Sequence, residues 1–190
     1  MKVTIIRSRR KTLAITLKSA DELIVRAPLR MPQRQIDAFL AEKKDWIRTH
    51  AERLRTRQAQ AENAIPPITP SELEQLKKQA KKVLPEKTAY YAQKIGVRYG
   101  QISIRAQKTR FGSCSAKGNL NFNCLIMKMP PEVIDYVVVH ELCHRKQMNH
   151  SAAFWQEVAR ILPDYRTRRK WLKDYGTFYI RAMEAGEAAD

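Results

Sequence analysis

Residues 140–150 read His-Glu-Leu-Cys-His-Arg-Lys-Gln-Met-Asn-His and hold three of the four histidines in the chain. His140 and His144 stand four apart with Glu141 beside the first, and this spacing constrains the backbone. On a helix, four residues is about 40° past a full turn, so both imidazoles leave one face and can fill two corners of a metal tetrahedron. On a strand, neighbouring side chains alternate and two histidines four apart lie too far from each other to share an ion. The preceding run, Pro130 to Val139, is therefore read as a helix despite the β-branched stretch Val137–Val139. Pro131 suits a first helical turn and Glu132 favours the positive N-terminal end.

A catalytic zinc generally has three protein ligands and one open position. His150 is the expected third ligand. The segment Arg145–Asn149 can close one helix, Asn149 or Ser151 can cap the next, and a sharp turn between them brings His150 back toward the pair. Glu157, on that next helix, is the rival. Glu141 would then be the general base, because a carboxylate beside a metal-polarised water can take its proton.

At 190 residues the chain can bury a proper core. No apolar run reaches membrane-spanning length and Met1–Arg7 lacks the apolar region of a signal peptide, so the expected location is cytoplasmic with no membrane partner. Cys114, Cys124 and Cys143 include no C-x-x-C pair, which argues against a disulfide framework and a cysteine metal site; Cys143 is read as a packing residue. The formal charge is +17, with more than half of the excess in the first sixty residues. Such an excess suits a polyanion, nucleic acid or nucleotide, or simply a soluble basic surface. No recognisable nucleic-acid module is visible.

The expected fold class is α+β: a zincin-like metallopeptidase core of antiparallel strands plus active-site helix, with an N-terminal lobe of β-strands and a long helix. Residues 1–62 form that lobe. Thr12–Lys18 and Leu23–Val25 alternate as strands, Val3 and Ile5 suggest a preceding hairpin strand, and Gln33 to about Ala61 has helical spacing with Trp46 as a packing anchor. Residues 63–70, Asn-Ala-Ile-Pro-Pro-Ile-Thr-Pro, form a linker. The core then spans 71–183. Ser71–Glu74 is a capping box, Pro85 should kink or interrupt the helix it opens, and Gly96 should end it. Gln101–Gln107 and Leu120–Met127 are read as an antiparallel pair whose edge can bind an extended substrate. After the metal helix and Ser151–Leu162, a last helix runs from Tyr165 to about Tyr175, with Asp164 as cap and Gly176 as stop. Residues 184–190 are expected to fray.

The stretch Lys108–Ser115, then Gly118–Asn123, then Pro131–Trp155, resembles the YgjP-like metallopeptidase family, related to the SprT and WLM zinc peptidases. The likeness extends to the N-terminal strands, the Trp46 helix and Pro163-Asp164-Tyr165. Phe111 stands where that family often has Trp, which keeps an aromatic wedge. The resemblance implies zinc bound by His140, His144 and His150, with Glu141 as base, in a hydrolase acting on peptides or proteins. It also places Arg110–Ser115 beside the metal. Arg110 is a candidate for binding a carboxylate or phosphate or for steadying a charged intermediate. Asn121 and Asn123, on one strand face, are candidates for holding that loop or the substrate chain. Two other activities stay open: a metal-dependent nucleotide pyrophosphohydrolase acting on substrates such as UTP, and a nucleic-acid-associated protease like the SprT relatives.

Overall fold

A computed structural model describes residues 1–188 of the protein. The chain divides into two compact units, Met1–Ala64 and Ile65–Asp190. Helices and small sheets are combined in both, so the fold is α+β. None of the helices among the described residues is long and apolar enough to cross a membrane.

In the first unit, strands β1 (Lys2–Ser8), β2 (Ala14–Ser19) and β3 (Glu22–Pro28) form a sheet in the order β1-β3-β2. β3 is central because Leu23, Val25 and Ala27 are fully buried on its inner face. The turn at Ala20-Asp21 joins β2 to β3 antiparallel, as the alternation predicts, but β1 is not a hairpin partner of β2. It lies parallel to β3 on the opposite edge, so the basic stretch after Ser8 crosses the sheet instead of making a tight turn. The long helix expected from Gln33 is two helices, α1 (Gln33–Glu42) and α2 (Lys44–Ala64). Lys43 leaves helical geometry, which lets Leu40 and Ile47, on either side of the break, both pack onto the core around Leu23, Val25 and Ile36. Trp46 does not anchor that core; it is 42 % exposed and stacks on His50.

In the second unit, α3 (Pro70–Ile95) is capped two residues earlier than the expected box. Thr69 is the cap, its hydroxyl accepting from the Glu72 N–H, with Pro70 in the first turn. The helix passes through Pro85 without interruption and ends at Gly96. A proline inside a helix costs about 3 kcal/mol, and the buried Leu84 and Thr88 on either side hold α3 to the core regardless. The second sheet differs from the expected antiparallel pair. β4 (Ile102–Arg105) runs parallel to β6 (Leu120–Asn123), and a third strand, β5 (Gly112–Cys114), is the antiparallel neighbour of β6. The tight turn between Ser115 and Asn119 joins β6 to β5, which is too short to show alternation. β6 stops at Asn123 because its side chain accepts from the Leu125 N–H and opens a 3-10 turn over Cys124–Lys128.

Three helices complete the unit: α4 (Pro131–Cys143), α5 (Ala152–Ile161) and α6 (Tyr165–Glu187). α6 is longer than the sequence suggested. Gly176 does not stop it, and residues 184–187 are helical instead of frayed, while 189 and 190 lie outside the described residues. The distal half of α6 has its own anchors. Tyr179, Ile180, Ala182 and Met183 are buried, the Ile68 N–H donates to the Ala182 carbonyl, and Gly186 lies directly against the Ile68 backbone.

Candidate metal centre

The centre begins with α4. Val133, Ile134, Val137, Val138, Val139, Leu142 and Cys143 are all buried, so this helix is apolar all round and enclosed by α3, α5, α6 and β5. Enclosure on every side explains why Val137–Val139 are helical: burial outweighs the weak strand preference of β-branched residues. His140 falls in the last turn and His144 at the C-cap. The chain then turns through Arg145–Asn149, and Ser151 caps α5 by accepting from the Phe154 N–H. Arg145 fastens this corner by donating to the carbonyls of Arg98 and Ala116.

The three imidazoles meet there, with one donor atom from each lying within 4.8 Å of the others. His140 Nε2 and His150 Nε2 are 3.0 Å apart. Two nitrogens bound at 2.0–2.1 Å to a tetrahedral zinc lie about 3.3 Å apart, so this pair needs only a few tenths of an ångström of adjustment. His144 Nδ1 is 3.1 Å from the Gln147 carbonyl. A proton on that nitrogen leaves Nε2 with its lone pair free, the tautomer a metal requires. His140 Nδ1 has the Tyr136 hydroxyl at 3.5 Å.

Phe154, fully buried, supplies a floor for the cluster: its ring centroid is 4.9, 4.6 and 4.9 Å from those of His140, His144 and His150. Trp155 stacks on His150, and Tyr165 stacks on Trp155. Burial pushes His140 down to about 3, helped by the nearby His144, His150 and Arg169, and it lowers His144 as well. Both rings are thus held neutral, the state that ligates a metal.

Glu141, 6 % exposed, faces a cavity of about 180 Å³ lined by Phe111, Gly112, Tyr136, Val137, His140, Glu141 and Leu172. Burial raises its carboxyl to about 8, and the Arg110 charge opposes that rise. β5 runs directly past this carboxylate. A side-chain carbon on Gly112 would sit 2.6 Å from Glu141 Oε1, so only glycine permits the approach. Since β5 is an edge strand, the backbone beside Glu141 has one side not used by the sheet.

The remaining candidates divide. Arg110 is exposed and acts on Glu141 through its charge. Asn123 is fully buried and donates to the carbonyls of Gln107 and Arg110, so it holds the loop that presents Arg110. Asn121 donates to Gln107 Oε1 and accepts from Ser103. Both asparagines are thus engaged within the protein. Glu157 pairs with Lys146 and Arg160 and is not part of the histidine cluster. Cys143 is buried and Cys114 half-buried; both are free thiols. Sequence reasoning assigned no role to Tyr136, Phe154, Trp155 or Arg169. The Phe-Trp pair four and five residues after His150 was the available signal, since α5 must turn one face toward the metal.

The donor set suits a borderline ion such as zinc: three imidazoles, two of them held neutral by burial, a fixed tautomer on His144, and a carboxylate on the cavity that His140 lines.

Comparison with known proteins adds an independent line. The model of the YgjP-like metallopeptidase domain matches residues 11–73 and 70–175. None of the curated proteins matches the chain. Among solved structures, the metallopeptidase zymogen abylysin of Pyrococcus abyssi is similar over 48% of this chain and 94% of its own, with 23% identity and a TM-score of 0.44. The metallopeptidase zymogen jannalysin of Methanocaldococcus jannaschii is similar over 48% and 93%, with 23% identity and a TM-score of 0.43.

Proposed function

This chain belongs to the YgjP-like metallopeptidase family, and from that premise we propose that it hydrolyses peptide bonds with one zinc ion held by His140, His144 and His150 and with Glu141 as general base. The observation that supports this reading best is the convergence of three imidazole donors, one of which, His140, lines the cavity that Glu141 faces. Zinc at such a site supplies Lewis acidity and brings the pKa of a water near 7.

The protein's own groups have separable tasks. Glu141 takes a proton at its carboxylate oxygen and returns it to the leaving amine; its buried position keeps that oxygen from being swamped by solvent. The edge of β5 gives an extended peptide backbone a place to pair beside Glu141. Phe111, Val137 and Leu172 make the cavity mostly apolar, which suits an apolar side chain next to the scissile bond. Arg110 offers positive charge where the carbonyl oxygen becomes negative. Asn123 is assigned to holding the Arg110 loop, and Asn121 to supporting it through Gln107.

A nucleotide pyrophosphohydrolase is less well supported. Phosphoryl chemistry draws on oxygen-ligated or paired metals, and the metal-capable group among the described residues is built of histidines alone.

The test combines metal analysis with two assays. Purified protein should carry one zinc per chain and cleave a denatured protein but not UTP. Glu141→Gln should keep its zinc and lose about 10²- to 10⁴-fold in cleavage, whereas His150→Ala should lose zinc. Cleavage of UTP alone, or full activity of Glu141→Gln, would refute the reading.

A further inference from the structure

Three arginines of the second unit have structural work. Arg145 binds the Arg98 and Ala116 carbonyls, Arg160 binds Glu157 and the Ile95 carbonyl, and Arg168 binds Asp164 and the Glu132 carbonyl. Arg169, the next residue on α6, differs. It is exposed, and it makes no hydrogen bond or ion pair among the described residues. Its guanidinium carbon lies 4.3 Å from the centre of the Trp155 ring, and Trp155 in turn is stacked on His150 at 5.6 Å and 22°.

That layering fixes the charge without consuming it. A guanidinium resting on an aromatic face is held by its own face, while its five N–H donors lie around its rim. The guanidinium carbon is therefore within about 10 Å of the His150 ring, and its charge bears on both His140 and Tyr136. An extended peptide advances roughly 3.3 Å per residue, so this reach covers as many as three residues along a bound substrate.

We infer that Arg169, braced on Trp155, binds a carboxylate of the peptide substrate within three residues of the scissile bond. The preferred substrate is an acidic or short peptide, its carboxylate being either the chain's own C-terminus or an Asp or Glu side chain. Arg fits the task better than Lys because its planar fork can hold both carboxylate oxygens while stacked. The inference rests on the peptidase reading above, since it names the substrate class of that site.

The experiment uses the full chain loaded with zinc and two pairs of otherwise identical peptides. One pair ends in a free acid or an amide; the other, amidated, carries Asp or Asn three residues from the cleaved bond. Binding is followed by calorimetry on the Glu141→Gln protein, and cleavage on the wild type. The carboxylate member of one pair should bind about tenfold or more tightly than its neutral partner, and the pair showing this identifies the source. Arg169→Gln should abolish the preference with zinc content unchanged, and Arg169→Lys should restore part of it. Equal affinity within both pairs, or a preference that survives Arg169→Gln, would overturn the assignment. Charge-selective binding with no cleavage would leave Arg169 in place and count against the peptidase reading; cleavage without charge preference does the reverse.

Discussion

Glu141 and His140 sit side by side in the chain, yet burial moves them in opposite directions, and in the metal-free protein this has a measurable consequence. The carboxyl rises from 4.5 to about 8 and the imidazole falls from 6.5 to about 3. Between pH 6.5 and 8 the native protein keeps a proton on Glu141 that the unfolded chain has lost, so stability falls as pH rises. Between pH 4.5 and 3 the unfolded chain holds a proton on His140 that the native protein refuses, so stability falls as pH drops. From 4.5 to 6.5 the two effects cancel. Thermal melts of the metal-free protein should therefore show a lower Tm at pH 8 than at 6.5, and Glu141→Gln should remove that decline; a decline of equal size in the variant would assign it to other groups. At this scale the histidines and Glu141 were readable because a metal motif imposes spacing on sequence. Phe154, Trp155 and Arg169 were not, since their nearness to the imidazoles depends on how α5 and α6 return to α4.

Among the elements, α6 departs most from expectation, and Gly176 shows why. A glycine inside a helix costs about 1 kcal/mol relative to alanine, and from sequence alone it reads as a stop. In the structure it is buried mid-helix, where a side-chain carbon would come within 2.7 Å of Phe111 Cε2 and 3.1 Å of Leu172 Cδ1. The glycine thus makes room for a ring that lines the Glu141 cavity. Gly176→Ala should forfeit the usual gain in helix stability and lower kcat/KM several-fold by displacing Phe111. In a Phe111→Leu background, where the ring is gone, the same change should stabilise by about 1 kcal/mol. Denaturant unfolding of the four proteins measures both, and a gain of that size already present in the wild-type background would show that ring and glycine are not in conflict. The second sheet teaches a similar lesson. Its turn was legible from Gly118 and its neighbours, but a three-residue strand has too little pattern to announce itself, so β4 was given the place that belongs to β5. α4 succeeded for the opposite reason: thirteen residues with a proline start and a metal spacing leave few alternatives.

For the molecule as a whole, every residue assigned to the candidate centre lies in the unit that begins at Ile65, and that unit has its own core of buried side chains. We expect a fragment of residues 65–190 to fold and to bind one zinc with affinity close to that of the full chain. Circular dichroism and metal analysis check this, and a fragment that folds without retaining zinc would show that residues 1–64 contribute to binding. The stretch 63–70 was read as a linker, and the helices on either side extend into it, α2 to Ala64 and α3 from Pro70; the charge excess of +17 identified no partner, because net charge reports on solubility and encounter and not on chemistry. The ring of Phe154 beneath the three imidazoles carries a last implication. With that side sealed by a buried aromatic, an ion held by the three imidazoles could be reached from the cavity that His140 and Glu141 line or past the exposed His150. A peptide lying in the cavity would block the first approach and leave the second.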